Sequence, residues 1–341
     1  MLKIKVLIYE IKERREDIYF IKYIKVMNKK KLKIRINMIK KFIIHPKSFL
    51  IFLASKGIIR YDDKAFIEYV YFSTFKKKIN LKNPQTFNEK LQWLKLHDHN
   101  ILYTYMVDKY KVKEYVSNII GNKYIVDTLG TYNKFNEINF DILPNKFVIK
   151  TTHDSGGIVI VKDKRKINIR KVKRKINKHL RKNYYYHSRE WPYKNVKPKI
   201  IIEKYIEDNN DKELRDYKFF CFNGKVKFFK VDFDRFTNHH ANYYDVELNL
   251  LPFGEKNYLP DREKKIIIPD NINEMIDLAE KLSKNITFVR VDFYNVNGKI
   301  YFGEMTFYPA SGFGKFEPDE WDEKIGDMLE LPIKSEEKNE K

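Results

Sequence analysis

Two carboxylates stand in neighbouring strand-like runs near the end of the chain. The stretch VRVDFYNVNGKIYFGEMTF, residues 289–307, holds Asp292 in its first run and Glu304 in its second, on either side of a turn-prone Asn297–Gly298. Side chains alternate between faces along a strand, so the register of the hairpin decides whether the acids meet. A strict two-residue turn would place them on opposite faces, whereas a bulge, or an odd-numbered turn centred on Gly298, would place Asp292 opposite Glu304.

If the acids meet, they share a face with Arg290 and Thr306. Two facing carboxylates repel each other unless a positive group lies between them, and oxygen ligands on a rigid sheet suit Mg²⁺. The spacing therefore predicts a magnesium site at Asp292 and Glu304, with Thr306 beside it. A surface hairpin with two solvated acids and a nearby arginine is the alternative that the spacing leaves open.

A second group of chemically useful residues lies in KTTHDSGG, residues 150–157. Lys150 ends a strand-like run, and Gly156 and Gly157 allow backbone N–H groups to approach phosphate oxygens. The pattern is not a P-loop, because GxxxxGK[ST] is absent and the loop joins two strands. It predicts a loop that folds over a polyphosphate, and an ordinary glycine-containing hairpin is the alternative.

The third group is IIIEKYIEDNN, residues 200–210. A strand carries Glu203 near its end, and the chain leaves through Tyr205 and Ile206 to Asp208. An acid at this edge can accept a hydrogen bond from an adenine amino group, the following backbone groups can pair with the ring edge, and Asp208 can reach ribose hydroxyls. Solvated acids after a strand are the alternative.

The three groups lie on predicted strands, and these strands follow a first part of the chain that is predicted to be helical. Thr86 and Glu89 have the spacing of a capping box, and residues 104–120 have an apolar period that predicts a helix ending at Gly121. The order of helices and then strands predicts an α+β fold. The expected strands are 146–150, 157–162, 197–206, two runs within 216–233 and the hairpin above, with helices expected at 165–182 and 271–285.

The composition excludes several classes of protein. The single cysteine, Cys221, rules out an intrachain disulfide framework, fits a reducing compartment and is expected to pack in a strand. No run approaches the roughly 18 apolar residues of a membrane span. The N-terminal residues lack the pattern of a signal peptide. A cytoplasmic protein is expected.

The formal net charge of +22 is unevenly distributed. Residues 1–60 hold seventeen Lys and Arg against four Asp and Glu, and a second basic run covers residues 162–182. Neither run carries a nucleic-acid-binding motif or zinc-ligand spacing, so no specific nucleic acid is expected. The basic first 60 residues predict peripheral association with the anionic inner face of the plasma membrane.

The order of the three groups, together with five longer motifs, resembles the TupA-like ATP-grasp family, which is linked to teichuronopeptide, capsule and other cell-surface polysaccharide synthesis. The resemblance runs from about residue 60 to 332. It is carried by NPQTFNEKLQWLKLHD, VDKYKVKEYV, LPNKFVIKTTHDSG, ELRDYKFFCFNGK and VRVDFYNVNGKIYFGEMTFYPASG.

The resemblance implies an ATP-grasp fold, in which two α+β subdomains clasp ATP, preceded by a mainly helical N-terminal region. The domains it implies are a basic extension over 1–60, a helical region over 61–140, the lid subdomain over 141–210, the C-terminal subdomain with the metal site over 211–333, and a polar tail over 334–341.

The resemblance also implies roles for individual residues. Lys109 and Lys150 match the two lysines that contact ATP phosphates, and Ser155 and Gly156 lie in the lid loop. The adenine-side acid, the ring-edge backbone and the ribose acid correspond to Glu203, Tyr205, Ile206 and Asp208. Arg290 would stabilise the transferred phosphoryl group, Lys218 would face the phosphates or substrate, and Asp292 and Glu304 would hold one or two Mg²⁺.

Two positions depart from the family pattern. Thr306 stands where most members have an asparagine that binds the metal, so a water is expected to complete the shell. Asp154 stands in HDSG where HGSG is expected. It is expected to place a negative charge beside the phosphates in a backbone conformation that glycine adopts more easily. His153, beside it, is a candidate phosphate contact.

The implied activity is that of an ATP-dependent ligase that forms C–N bonds. A substrate carboxylate attacks the γ-phosphate to give an acyl phosphate, and an amine then displaces phosphate. The carboxylate donor and amine acceptor would belong to a polysaccharide or lipid-linked precursor. A glycosyltransferase with a metal motif at DFD, residues 232–234, is one alternative, and a non-catalytic basic protein that binds polyanions is the other.

Overall fold

The computed structural model describes residues 46–208, 214–235 and 237–332. They fall into two compact units, one reaching Arg60 and one beginning at Tyr61. The described part of the first unit forms helix α1, Pro46–Ser55, with the proline at the first helical position that suits its fixed φ. Residues 1–45 of the predicted helical extension, and the predicted tail over 334–341, lie outside the described residues.

The helices of the second unit begin with well-defined caps. The predicted capping box is confirmed: the Thr86 hydroxyl accepts from the Glu89 N–H at 3.3 Å, and the Glu89 carboxylate accepts from the Thr86 N–H at 3.3 Å. The helices are α2 (Asp63–Phe75), α3 (Phe87–His97), α4 (Ile101–Val107), α5 (Val112–Ile120), α6 (Ile169–Leu180), α7 (Tyr185–Ser188), α8 (Ile272–Ser283) and α9 (Trp321–Asp327).

The single helix predicted over 104–120 is wrong, because it is broken between α4 and α5. The Asp108 carboxylate accepts from the backbone N–H groups of Tyr110 and Lys111, at 2.9 and 3.3 Å. This local turn competes with helical hydrogen bonding, so α4 ends at Val107. Lys109 therefore lies in the break rather than on a helix.

In the described part of the chain, eleven strands form three antiparallel sheets. The order is β1-β4-β2-β3 in a four-stranded sheet, β10-β9-β5-β6-β7 in a five-stranded sheet, and β11-β8 in a small ribbon. The strands are β1 (Thr128–Tyr132), β2 (Phe147–Thr151), β3 (Ile158–Val161), β4 (Ile200–Lys204), β5 (Asp216–Phe222), β6 (Lys225–Phe233), β7 (His240–Asp245), β8 (Gly254–Glu255), β9 (Phe288–Val296), β10 (Lys299–Thr306) and β11 (Phe316–Glu317).

Each of the two large sheets has its own core. Val172 and Ile176 of α6 pack with buried residues of β2 and β4, which leaves the other face of the four-stranded sheet uncovered by this helix. The five-stranded sheet packs one face on α8, where Cys221 lies against Ala279. On the opposite face, Phe87 of α3 contacts Phe222 and Phe288, which alternate to the side of Arg290 and Asp292. The α+β class is confirmed. Residues 61–140 are not entirely helical as predicted, because β1 already belongs to the four-stranded sheet.

The hairpin of β9 and β10 contains both features that the sequence presented as alternatives. Its turn has two residues, Asn297 and Gly298, with φ of 51° and 78°, as a type I′ turn requires. A bulge at Gly303 then shifts the register, so that Asp292 pairs with Glu304. Of the two routes to this pairing that the sequence left open, the bulge is present and the odd-numbered turn is not.

None of the helices in the described ranges combines the length and the apolar character that crossing a bilayer demands.

The single cysteine offers a simple test of this packing. Cys221 lies in β5 with no exposed surface, and burial raises the pKa of its thiol to about 12. We expect no alkylation by iodoacetamide at neutral pH in the folded protein and complete alkylation in denaturant, measured by mass spectrometry. Rapid alkylation without denaturant would show that β5 is not an interior strand.

Candidate functional site

A cavity of about 690 Å³ is lined by residues of both large sheets. From the four-stranded sheet come the side chains that alternate onto its free face, among them Lys150 and Glu203. From the five-stranded sheet come Lys218, Arg290 and Asp292. The loop between β2 and β3 also lines the cavity, through Ser155, Gly156 and Gly157. The cavity thus joins all three groups of residues that the sequence singled out.

At one end of the cavity, Glu203 binds two lysines. Its carboxylate lies 2.6 Å from Lys150 Nζ and 2.5 Å from Lys113 Nζ, and Lys113 also donates to the carbonyl of Val126 at 2.7 Å. Burial acts to raise the pKa of Glu203, but the two ammonium groups outweigh it and lower the pKa. The carboxylate is therefore ionised and held in place.

Apolar side chains form the wall beside this ion pair. Ile158 and Ile160 of β3 line the cavity and are 40% and 48% exposed, although isoleucine usually avoids water. They share the free face of the sheet with Val148, Lys150 and Glu203. A flat apolar wall with a carboxylate at its edge suits an aromatic ring that carries hydrogen-bond donors.

The side chain of Asp154 holds the loop after β2 in place by hydrogen bonds within the protein interior. Its carboxylate is buried and accepts from the Thr151 hydroxyl and from the His179 imidazole of α6. Asp154 still counts among the residues that line the cavity, so the expected negative charge beside the phosphates stays a prediction. The expected glycine-like backbone at Asp154 is wrong, because the left-handed φ of 84° belongs to Gly156. At Gly157 a Cβ atom would overlap the Thr151 hydroxyl, so only glycine fits.

The neighbouring residues tie the loop to its surroundings. Lys109 Nζ donates to the carbonyl of Asp154 at 2.7 Å. His153 Nε2 lies 3.2 and 3.0 Å from the carbonyls of His179 and Lys182 at the end of α6. Burial lowers the pKa of this imidazole, which caps the helix end. The interpretation of His153 as a phosphate contact is wrong.

At the other end of the cavity, the Arg290 guanidinium joins the three other residues predicted there. Arg290 donates to both oxygens of Asp292 at 2.7 and 2.6 Å, to Glu304 at 3.4 Å and to the Thr306 hydroxyl at 3.1 Å. Burial raises the pKa of Asp292 to about 6, against the opposing effect of Arg290 and Lys218. The Glu304 side chain is 46% exposed and lines the cavity.

This donor set fits a divalent cation. Asp292 and Glu304 are directly opposite each other, and each carboxylate oxygen has a lone pair beyond the one that Arg290 uses. Hard oxygen donors with access to water are what Mg²⁺ prefers. Within residues 46–208, 214–235 and 237–332, no cluster of three or more His, Cys, Asp or Glu is placed to hold a metal. Any cation here would therefore take water or substrate oxygens as further ligands.

A line of charged side chains continues from this point across the five-stranded sheet. The register places Glu304, Asp292, Lys218, Lys230 and Tyr243 opposite one another on successive strands. Lys218 and Lys230 are thus adjacent like charges on a buried surface, an arrangement that destabilises a sheet unless acids compensate it.

Acids two residues along β5 and β6, together with an acid of β8, supply that compensation. Lys218 Nζ lies 2.7 Å from Asp216 and 2.5 Å from Asp232, while Lys230 Nζ lies 3.2 Å from Glu255. Burial acts to lower the pKa of Lys218, but Asp216, Asp292 and Asp232 outweigh it and raise the pKa. Lys218 is therefore a fixed cation beside Asp292.

Sequence reasoning missed about half of the charged residues that line the cavity. The available signal was the alternation of charges at i and i+2 within apolar strands, as in DYKFF and KFFKVDF. The DFD acids do not form a shared metal motif, because Asp232 binds Lys218 and Asp234 binds Lys264. The missed acidic and basic residues of the cavity are Lys113, Lys162, Lys204, Asp216, Lys230, Asp232, Arg235, His239, Glu255 and Lys315.

Eleven of the thirteen predicted site residues line the cavity. The two others lie beside it: Thr306 binds Arg290, and the Asp208 carboxylate accepts from the backbone N–H of Asn297 at 3.2 Å. The residues that line it are Lys109, Lys150, Ser155, Gly156, Glu203, Tyr205, Ile206, Lys218, Arg290, Asp292 and Glu304.

Comparison with known proteins gives one family match. A family model described as TupA-like ATPgrasp matches residues 89–330, well over half of the chain. A search of the curated proteins found no match.

Three solved structures show the range of fold similarity. A D-alanine–D-alanine ligase from Bacillus anthracis is 19% identical, with a TM-score of 0.37 over 63% of this chain and 63% of its own. An N5-carboxyaminoimidazole ribonucleotide synthetase in complex with ADP is 15% identical, with a TM-score of 0.36 over 73% and 58%. The ATP-grasp ligase PsnB with Mg and ADP is 9% identical, with a TM-score of 0.39 over 71% and 65%. The chain spans less than two thirds of each structure.

The Glu203 ion pair predicts a measurable stability change. Glu203→Gln should lower the free energy of unfolding by about 2 kcal/mol, because it leaves two partly buried ammonium groups without their carboxylate. The lowered pKa means that this contribution exists above the unfolded-state pKa and is lost as the pH falls through the folded-state value. The difference between wild type and variant should therefore shrink in acid, measured by urea denaturation.

Glu207→Gln is the matched control. Glu207 also pairs with a lysine, Lys146, but both side chains are about half exposed. Exposed pairs contribute little, so this variant should match the wild type. Equal destabilisation by the two variants would contradict the role given to burial.

Proposed function

The chain belongs to the TupA-like ATP-grasp family, and from this premise we propose that it is an ATP- and Mg²⁺-dependent ligase that joins a carboxylate to an amine. The observation that carries the proposal is the meeting of Arg290, Asp292 and Glu304 at one end of a cavity whose other end holds Lys150 and Glu203. Such a cavity offers phosphate-binding cations and metal-binding acids within one enclosure.

In this proposal the nucleotide occupies the end with the apolar wall. The adenine lies against Ile158 and Ile160, with Glu203 as the acceptor for its amino group and the backbone after β4 at the ring edge. This backbone belongs to Tyr205 and Ile206, both of which line the cavity. Asp208 is assigned to the ribose, on the support of its place after this segment alone.

In this proposal the phosphates bind lysine ammonium groups that, in the structure, contact a carboxylate or a backbone carbonyl. Lys150 and Lys113 bind Glu203, and Lys109 binds the Asp154 carbonyl. An ammonium group that exchanges one oxygen partner for a phosphate oxygen keeps its charge compensated. Ser155 and Gly156, exposed at the tip of the loop, supply backbone N–H groups.

Asp292 and Glu304 would hold Mg²⁺, with Thr306 contributing its hydroxyl directly or through a water. When bound, the cation neutralises charge on the β- and γ-phosphates and orients them. Arg290 binds both acids, so its guanidinium lies where oxygens of a transferred phosphoryl group would need a cation. Lys218, fixed beside Asp292, adds a second positive charge there.

The reaction then needs no covalent enzyme intermediate. A substrate carboxylate attacks the γ-phosphorus, the bond to the β-phosphate oxygen breaks, and ADP leaves. An amine attacks the carbonyl carbon of the acyl phosphate, loses a proton, and expels inorganic phosphate to give an amide. The four-stranded sheet would be the lid subdomain, extended to include β1, and the five-stranded sheet would carry the metal.

The substrates proposed are acids and amines of a cell-surface polysaccharide or its lipid-linked precursor. The support is the family resemblance and the basic first 60 residues, which would favour an anionic membrane face. Binding of a nucleotide sugar without ATP would instead favour a glycosyltransferase. Salt-dependent binding to polyanions without nucleotide binding would favour a non-catalytic protein.

Nucleotide binding is the first measurable consequence. Calorimetric titration with Mg²⁺ and a non-hydrolysable ATP analogue should show binding by the wild type. Glu304→Gln should weaken it by about tenfold or more, equivalent to about 1.4 kcal/mol, because it removes a charged metal ligand. Glu247→Gln, an exposed position away from the cavity, should bind as the wild type does. Absence of binding to the wild type would refute the proposal.

Arg290→Lys separates catalysis from binding. Lysine cannot reproduce the bidentate contact with Asp292, so charge on the transferred phosphoryl group would be poorly stabilised. Phosphate release in the presence of mixed amino acids and uronic acids should fall by about a hundredfold or more. Binding of the ATP analogue should change much less. Wild-type turnover by this variant would show that Arg290 is not catalytic.

A further inference from the structure

Helix α3 carries a buried stripe of polar side chains that the proposed chemistry does not use. Asn88, Gln92 and Lys95 recur at the helical spacing that normally carries apolar residues into a core. All three are at least 98% buried. None of them lines the cavity. Buried donors need partners, so the question is what this stripe binds.

Each side chain of the stripe donates to the loop that follows β10. Asn88 Nδ2 lies 2.8 Å from the Gly314 carbonyl oxygen. Gln92 Nε2 lies 2.5 Å from the Gly312 carbonyl and 3.3 Å from that of Ser311. Lys95 Nζ lies 2.7 Å from the same Ser311 carbonyl. Three successive positions of one helix face thus hold one short stretch of backbone.

That stretch has an unfavourable conformation. Ala310, Ser311 and Gly312 have φ values of 47°, 56° and 64°, three left-handed residues in a row, of which only one is glycine. Residues other than glycine adopt this region rarely, and then usually singly. A Cβ atom added to Gly312 would lie 2.5 Å from Gln92 Nε2, so loop and helix fit closely. The contacts from α3 compensate the strain of this backbone.

Two buried ionisable side chains, Lys95 and Glu190, complete the attachment. The Lys95 ammonium has three acceptors, Gln92 Oε1 at 3.0 Å, the Ser188 carbonyl at 2.9 Å and the Ser311 carbonyl at 2.7 Å. The Glu190 carboxylate accepts from the hydroxyls of Ser188 and Ser311, each at 2.8 Å. Lys95 and Glu190 therefore both bind Ser311 of the loop, and Glu190 comes from the segment that follows α7.

The opposite side of the loop faces the cavity. Ala310, Gly314 and Lys315 line it at the end where Glu304 lies, and the loop begins directly after the strand that carries Glu304 and Thr306. The geometry points to Gln92 and Lys95 as positioning residues, which hold residues 308–315 in the one conformation that completes the reactive end of the cavity. This inference rests on the proposed function, and it predicts an effect on turnover with none on nucleotide binding.

Gln92→Leu and Lys95→Met test the inference, because each keeps the volume of the side chain and removes its donors. Binding of the Mg²⁺ ATP analogue should stay within about twofold of wild type, since neither residue touches the cavity. Phosphate release with the acid and amine mixture should fall by about a hundredfold. Hydrogen exchange of residues 308–315 should become faster.

Lys90→Met is the control on the same helix. Lys90 Nζ also donates to two backbone carbonyls, of Gly326 and Leu329, but these belong to α9 and the segment after it. This variant should leave both turnover and exchange of the loop unchanged. A loss of turnover equal to that of Lys95→Met would indicate general destabilisation and overturn the inference.

A double-mutant cycle uses the close contact at Gly312. Gly312→Ala should impair turnover because the new methyl group meets Gln92 and the left-handed backbone disfavours alanine. A Gln92→Ala background removes the closest contact of the methyl group and leaves that with Leu91 Cβ at 3.1 Å, so the two effects should be less than additive. Additive effects would mean that Gln92 does not act through the loop. If the larger changes prevent folding, Gln92→Asn can replace them, because its side chain is one methylene shorter and its amide N–H lies further from the loop carbonyls.

The outcomes separate this inference from the proposed function. If the wild type neither binds the analogue nor releases phosphate, the proposed ligase function is refuted, but not the role of α3. Hydrogen exchange of residues 308–315 in the variants would still decide whether α3 holds the loop. Unchanged exchange would overturn the inference. Faster exchange with wild-type turnover would overturn it as well, because the loop conformation would then not matter for the reaction.

Discussion

One extra residue in one strand sets the geometry on which the cavity depends. The two-residue turn at Asn297 and Gly298 would, in an unbroken ladder, pair Glu304 with Val291 of the core. The bulge at Gly303 shifts the pairing by one position and turns Glu304 to the side of Asp292. The line of side chains that continues to Lys218 and Lys230 starts from this pair. Without the shift, Arg290 would face one carboxylate rather than two.

The second constraint is the cost of burying charge. An isolated ionised group inside a protein is strongly disfavoured, so each acid on the cavity wall is matched by a cation. Glu203 has two lysines, Asp292 has Arg290, and Asp232 has Lys218. The same rule explains Asp154, whose carboxylate turns inward to Thr151 and His179. A cavity whose cations are already in place can take up a polyanion by exchange of partners, with little rearrangement of the sheets.

Local sequence signals predicted most of the helices and strands. They predicted less well where a helix breaks and how neighbouring strands are aligned. The capping box at Thr86 and the alternation around Lys150 and Glu203 are patterns within one segment, and they appear in the structure as predicted. The bulge was foreseen only as one alternative, because a period of two cannot reveal a one-residue shift. The break at Asp108 came from a side chain that competes with the helix. The missed cations of β5 and β6 belong to the site through register with β9, which is a property of the sheet rather than of either strand.

Helix α3 shows why some of the most specific motifs lie away from the chemistry. Its sequence FNEKLQWLKLH supported the family resemblance, yet its polar residues contact only backbone carbonyls and neighbouring polar groups. Every residue has a backbone carbonyl, so these contacts restrict which residues can stand in α3 more than which residues can stand in the loop. The loop is constrained instead by its left-handed backbone and by the lack of space beside Gly312. Two distant motifs are thus fixed together by one interface, and the loop that lines the cavity at Ala310 and Gly314 is held by residues that do not line it.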